Sequence, residues 1–254
     1  MATINPCSGD LPGTFGDAMP FICDGALVTA QVTVGGAALA IVLAAVAGLA
    51  STSHAWLVRA VARVYMEFFR GASVLVQLFW IFYAMPAITG YRLSPIFAGV
   101  LTLGLNLGAY GSEVVRGAIQ AVPVPQREAG IALNFSTYQR MRRIILPQAF
   151  VAMVPPGTSL LIELLKATSL VSAISVADMT YQANVTVSSI GNQFTIFGIV
   201  MVIYFLMAQV ITMVMRVVER RAATMVGRET PKRRPPQMAW TDPAPTSAGG
   251  GGKS

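Results

Sequence analysis

Between Ala26 and Ala50 the chain runs for 25 residues without a charged side chain. A helix of that length is long enough to cross the roughly 30 Å hydrocarbon core of a bilayer. Four further apolar stretches follow: Ala72 to Ile88, Pro95 to Tyr110, Phe150 to about Leu170, and Thr195 to Val217. Inside hydrocarbon the backbone amides must bond within their own segment, so stretches of this kind fold as helices. Only 11% of residues are charged, where a soluble domain carries about 25%. The expectation is an all-α integral membrane protein with five transmembrane helices and no room for a separate catalytic domain.

The loops between these stretches assign the sides. Arg59, Arg63 and Arg70 lie in the first loop. Arg116, Arg127, Arg140, Arg142 and Arg143 lie in the second. Arg216, Arg220, Arg221, Arg228, Lys232, Arg233, Arg234 and Lys253 lie at and after the last stretch. Together they are 16 of the 18 basic residues. The positive-inside rule then puts the N-terminus outside and the C-terminus inside. The pI of 9.8 follows from this bias and calls for no nucleic-acid partner. Residues 1–25 hold Asp10, Asp17 and Asp24 but no Lys or Arg, so they read as an extracytoplasmic arm and not as a secretory signal. Cys7 and Cys23 lie on that arm. They pair if the compartment is oxidising, or stay as two unpaired thiols; both readings stand. Residues 222–254 are rich in Pro, Gly, Arg, Thr and Ser and read as a disordered cytoplasmic tail. Its SAGGGGKS end lacks the first Gly of a phosphate loop, at Ser247, and no helix can follow Ser254.

The longest polar run between apolar segments is Arg127 to Ala149. Glu128 to Leu133 reads as a short helix. Asn134 tolerates the left-handed backbone that stops a helix. Ser136 and Gln139 have capping-box spacing, so a second helix should begin at Thr137. Pro147 should mark a break after it. The run therefore reads as a helix–turn–helix that serves as a docking element on a membrane surface.

Its pattern resembles the coupling loop of bacterial ABC importer permeases: EAA, three residues, Gly, nine residues, Ile, one residue, Leu-Pro. Here the positions are Glu128, Ala129, Gly130, Asn134, Ile144, Leu146 and Pro147, with the family spacing throughout. Gly130 replaces the third Ala and should weaken the first helix by about 1 kcal/mol. Asn134 replaces the turn Gly. Tyr65 to Gln77, Asn106 to Val122 and Lys166 to Ser175 are similar to the polar amino-acid uptake branch. The likeness covers about Gly25 to Arg221. The residues GIALNF (130–135), LIELLKATSL (161–170) and Phe79-Trp80 look most like permeases for ectoine and hydroxyectoine. The branch has Asp where this chain has Ala167, and a small or apolar residue where it has Glu163.

The resemblance implies a type I importer permease core, MetI-like, over residues 26–221, with the coupling loop at 120–147, in the bacterial plasma (inner) membrane. It implies a second permease subunit, identical or different, a pair of ATP-binding cassette subunits below, and an extracytoplasmic solute-binding protein. ATP and Mg would sit on the partner ATPase, and no cofactor on this chain.

The residues themselves suggest no catalysis. There is one His, at 54, which reads as interfacial rather than metal-bound, and no Ser/His/Asp set. Glu163 and Lys166 share a helix face, and each costs roughly 2.5–3.5 kcal/mol at mid-bilayer. Either they line a cavity that meets a small zwitterion, or they form an outer-interface pair whose Lys reaches headgroups. Asn106 and Gln77 either line the same path or make a structural interhelical hydrogen bond. Pro155-Pro156-Gly157 should break the fourth segment, as a hinge or an entry turn. Glu67–Arg70 and Glu113–Arg116 read as anchor pairs at the membrane edge. The leading function is the transmembrane permease subunit of an ATP-driven importer for a small polar zwitterion. A self-sufficient secondary transporter or channel is the alternative, though such folds often repeat in halves and no repeat is present. A membrane scaffold would leave the coupling-loop spacing unexplained.

Overall fold

The computed structural model describes residues 15–53 and 55–225. Cys7, His54 and the expected tail beyond residue 225 lie outside them. Among the described residues the chain is helical throughout, with no strand.

Helix α1 (Phe15–Ser51) begins ahead of the expected arm boundary at residue 25. Burial explains the extension. Ile22 is 1% exposed and packs with Met179, Ala183, Ile196 and Val200. Thr29 and Thr33, four residues apart on one helix face, are buried. Each hydroxyl donates to a carbonyl one turn back, Gly25 O at 3.0 Å and Thr29 O at 2.7 Å.

Helix α2 (Trp56–Gly71) is amphipathic. Ala62 and Met66 are buried, while Leu57, Val61, Val64 and Phe68 form an exposed apolar stripe at helical spacing. The chain then turns by 103° into α3 (Val74–Phe79). A π-helical turn, Trp80–Ala84, leads on to α4 (Met85–Thr89). A proline commonly ends a helix, yet Pro86 lies inside this one. The π register, with Met85 N–H bonded to Trp80 O, absorbs the residue that cannot donate. Gly90, at φ 72°, closes the helix.

Helix α5 (Pro95–Gln120) runs through the centre, packed mainly against α1. Its glycines set the distance. A Cβ on Gly104 would come within 2.7 Å of Leu39, and one on Gly111 within 2.8 Å of Ala44. Such small residues let membrane helices approach closely. They also lower apolarity. Three segments are long and apolar enough to cross a membrane: Met19–Ser51, Thr137–Ile174 and Gln193–Thr224. The pair Trp56–Gly71 and Val74–Thr89, bent by 103°, makes a fourth only if it is counted as one span. α5 contains the third expected span, yet its Gly, Thr and Asn106 content keeps it out of that group.

After the loop helices α6 (Val124–Ala132) and α7 (Thr137–Arg140), a second π turn, Met141–Ile145, passes into α8 (Leu146–Ala167). Pro147 therefore marks no break. Once more a π turn precedes the proline by one residue. Pro155 and Pro156 lie inside α8 and do not break it either. Within a membrane bundle, neighbouring helices and hydroxyl side chains can satisfy backbone groups that prolines release. Thr158 donates to Val154 O at 2.9 Å beside them. A 3-10 segment (Thr168–Ile174) follows, then α9 (Met179–Ile190), capped by Asp178, and α10 (Gln193–Met225).

Candidate coupling site and solute path

The sequence from Pro123 to Pro147 builds a rigid corner. Pro123 and Pro125 start α6 at Val124, so the helix begins a turn earlier than Glu128. Glu128 is thus mid-helix and not in the first turn. At the far end Asn134 has φ 58°. Asn134 N–H bonds Ile131 O at 2.8 Å and Phe135 N–H bonds Gly130 O at 3.0 Å. This is a Schellman closure, with Asn in place of Gly. Ser136 and Gln139 then bond reciprocally, at 3.3 Å and 2.9 Å, as a complete capping box. The two local features fix how the chain leaves α6 and enters α7.

The corner is tied to the bundle. Arg127 donates through Nη2 to Ile119 O at the end of α5. Ala118, Ile119 and Val122 pack with Ile145 and Ala149. Gly130 is buried, and a Cβ there would sit 2.9 Å from Ile144 Cδ1. Its missing side chain lets α6 rest on Ile144 and Arg140, so its helix-propensity cost is set against closer packing. Away from the bundle the corner exposes Glu128 and Ala129, together with Val124, Ile131, Leu133 and Tyr138, the last 70% exposed. Asn134, Leu146 and Pro147 are exposed as well, and Ile144 is half-buried. An apolar patch with one carboxylate, held on a rigid corner, suits docking to another protein.

The four residues expected along a solute path fall into two places. Gln77 is buried and Asn106 half-buried, with Asn106 Nδ2 3.4 Å from Gln77 Oε1. Both donate to Phe69 O, at 2.9 Å and 2.7 Å, and Gln77 also donates to Ala72 O at 3.1 Å. They cap the carbonyl end of α2 at its sharp bend, where helical donors have run out. Glu163 and Lys166 lie elsewhere, exposed on α8 beside the buried Leu164 and Leu165. They form no ion pair among the described residues. They continue an exposed stripe of Ala152, Pro155, Pro156 and Ser159, spaced by three and four along one face.

The charged anchors also differ from the local expectation. Glu113 pairs with Arg116 at 2.6 Å, as its spacing suggested, but it also pairs with Arg70 at 3.3 Å. Glu67, expected to pair with Arg70, stands exposed. Arg70 lies over the Tyr110 ring, 5.4 Å from its centroid. The triad thus joins the end of α2 to α5, a few turns above the corner. No sequence rule for one helix reveals it, because Arg70 and Glu113 are on different helices. Among the described residues, no three His, Cys, Asp or Glu come together as a metal site.

The family described as "Binding-protein-dependent transport system inner membrane component" matches residues 18–224. The chain belongs to that family. It is 43% identical over 220 residues to a "Probable amino-acid ABC transporter permease protein" of Sinorhizobium fredii, covering 84% of this chain and 92% of that one. It is 36% identical over 205 residues to the "Glutamine transport system permease protein" of Escherichia coli K12, covering 80% and 94%. A solved structure titled "Crystal structure of an amino acid ABC transporter with histidines" superposes with a TM-score of 0.74 at 31% identity, over 80% of this chain and 94% of the other. The all-helical fold is therefore the MetI-like ABC permease fold, and membership agrees with the coupling-loop resemblance.

Proposed function

We propose that the chain is the membrane subunit of an ATP-driven importer for a small polar zwitterion, driven through the corner at residues 124–147. The observation that carries this is the corner itself: a Schellman turn and a capping box at the coupling-motif positions, presenting Glu128, Ala129 and an apolar patch outward. Glu128, Ala129, Gly130, Asn134, Ile144, Leu146 and Pro147 are the coupling residues. In this reading five spans cross the bacterial inner membrane, with the N-terminus outside and the arginine-rich loops inside. A pair of ATPase subunits, holding ATP and Mg, docks on the corner. A second permease subunit faces the α8 stripe, and a binding protein delivers solute from outside. The force path runs from α6 through Arg127 and the Ala118–Ala149 cluster into α5 and α8.

The solute class rests on the relatives and on Glu163 and Lys166. The relatives are named as a probable amino-acid permease and a glutamine permease. A polar amino acid is the first reading. Ectoine, also a compact zwitterion, is a second, favoured by Glu163 and by Ala167. The test is reconstitution. The purified chain should bring an ATPase subunit with it and, with the binding protein, import radiolabelled glutamine or ectoine only with ATP. Import without ATPase, driven by an ion gradient, would establish the secondary-transporter reading instead.

A further inference from the structure

We propose that the hollow between the π turn, α4 and the start of α5 is a receiving site for the zwitterion, with Arg92 as its carboxylate contact. The hollow measures about 390 Å³ and is lined by Phe82, Tyr83, Pro86, Ala87, Arg92 and Leu93. That lies within the roughly 300–1,000 Å³ of sites that hold small ligands. It exceeds what a single water needs and suits an amino-acid-sized solute.

Its shape follows from the sequence. Pro86 carries no N–H, and the π turn ahead of it widens the helix. Gly90, with φ 72°, reverses the chain, so that Arg92 and Leu93 come back against Phe82 and Tyr83. Ser94 then caps α5 by accepting from Phe97 N–H.

The lining supplies both halves of zwitterion recognition. Arg92 is one of only two basic residues outside the three arginine-rich regions. It takes part in no salt bridge among the described residues. Its planar fork matches a carboxylate with two parallel hydrogen bonds. Phe82 and Tyr83 pack edge to face, with centroids 4.9 Å apart, and Phe79 extends the group at 5.9 Å from Tyr83. Their faces attract an ammonium or amidinium group. In the N-terminus-outside reading the hollow opens to the outer side, where a binding protein releases its solute. The inference rests on the importer reading and adds a named contact to it.

The experiment uses the full complex in proteoliposomes, with radiolabelled L-glutamine and radiolabelled ectoine as probes. Arg92→Gln should lower uptake of the imported probe about tenfold or more, as loss of a hydrogen-bonded charge does. Arg92→Lys should recover only part, and Tyr83→Ala should lower uptake several-fold. Co-purification of the ATPase, ATPase activity without solute, and affinity of the complex for the binding protein should stay at wild-type values. Wild-type uptake by Arg92→Gln would overturn the site while leaving the importer reading intact. Loss of binding-protein affinity in step with uptake would overturn it too, and would make Arg92 a docking contact. A wild-type complex with no ATPase and no ATP-driven uptake of either probe would overturn both.

Discussion

Replacing Asn134 tests the corner at its most constrained point. Its φ of 58° lies in the left-handed region, which costs an ordinary residue roughly 1–2 kcal/mol and a β-branched one more. Two backbone bonds depend on that geometry, from Asn134 to Ile131 and from Phe135 to Gly130. Each contributes about 0.5–1.5 kcal/mol. Asn134→Val should therefore destabilise the turn by about 2–5 kcal/mol if both bonds are lost with the strain unrelieved. α6 would then swing relative to α7, whose start is set independently by Ser136 and Gln139. Asn134→Gly keeps the left-handed backbone and should be neutral within a few tenths of a kcal/mol, or slightly stabilising. The assay is ATPase activity of the reconstituted complex with and without liganded binding protein, beside hydrogen exchange at the amides of residues 133–136. Valine should abolish most of the stimulation and speed exchange at Asn134 and Phe135, while glycine should do neither. Full stimulation in the valine variant would refute the claim that this turn positions the docking surface.

Glu128→Lys should insert and fold normally, because Glu128 is exposed and unpaired among the described ion pairs, but should lower transport and ATPase stimulation together; normal uptake would remove Glu128 from the docking surface. Glu163→Gln and Lys166→Met should each lower uptake without changing solute-free ATPase activity, and additive losses in the double variant would mark separate contacts to the solute; wild-type uptake by both would leave them as interface residues. Asp178 caps α9 through Oδ1, accepting from Tyr181 N–H at 2.9 Å, while its buried Oδ2 has no partner. Asp178→Ala should thus lower stability in detergent by about 1 kcal/mol through the lost cap. Asp178→Asn keeps the cap without a buried charge and should match or exceed the wild type in the same thermal-unfolding measurement.

How far the sequence could be read depends on how local each determinant is. The Asn134 turn and the Ser136–Gln139 box were legible because both are set by residues within four positions of one another. The prolines misled for the opposite reason. A proline's cost is local, but the π turns at Trp80–Ala84 and Met141–Ile145 that absorb Pro86 and Pro147 are sustained by packing of whole helices. Pro155 and Pro156 are carried in the same way within α8. Arg70 has a local candidate in Glu67, yet Glu113 on α5 takes it, since the 103° bend brings the end of α2 against α5. Gln77 and Asn106 make the interhelical hydrogen bond that was one of their two readings, but its place was not legible, because the bend is what draws them, 29 positions apart, to the carbonyls of Phe69 and Ala72. The start of α1 at Phe15 was hidden because Ile22 is held by α9 and α10, far along the chain. The hollow beside Arg92 was not legible, because its aromatic wall comes from the π turn, which no local pattern announces.

The measurement that bears most directly on the central claim is disulfide trapping between the corner and the ATPase subunit. With Cys7 and Cys23 replaced by Ser, Ala129→Cys and Leu133→Cys would each be paired with single cysteines placed on the ATPase subunit that co-purifies. Both positions are exposed on the corner, so both should trap that subunit rapidly, and the rate should change when ATP is added. Phe205→Cys, exposed on α10, is the control and should not trap it. Equal trapping at Phe205 and at the corner, or none at the corner in a complex that still imports solute with ATP, would contradict the assignment of residues 124–147 as the coupling site.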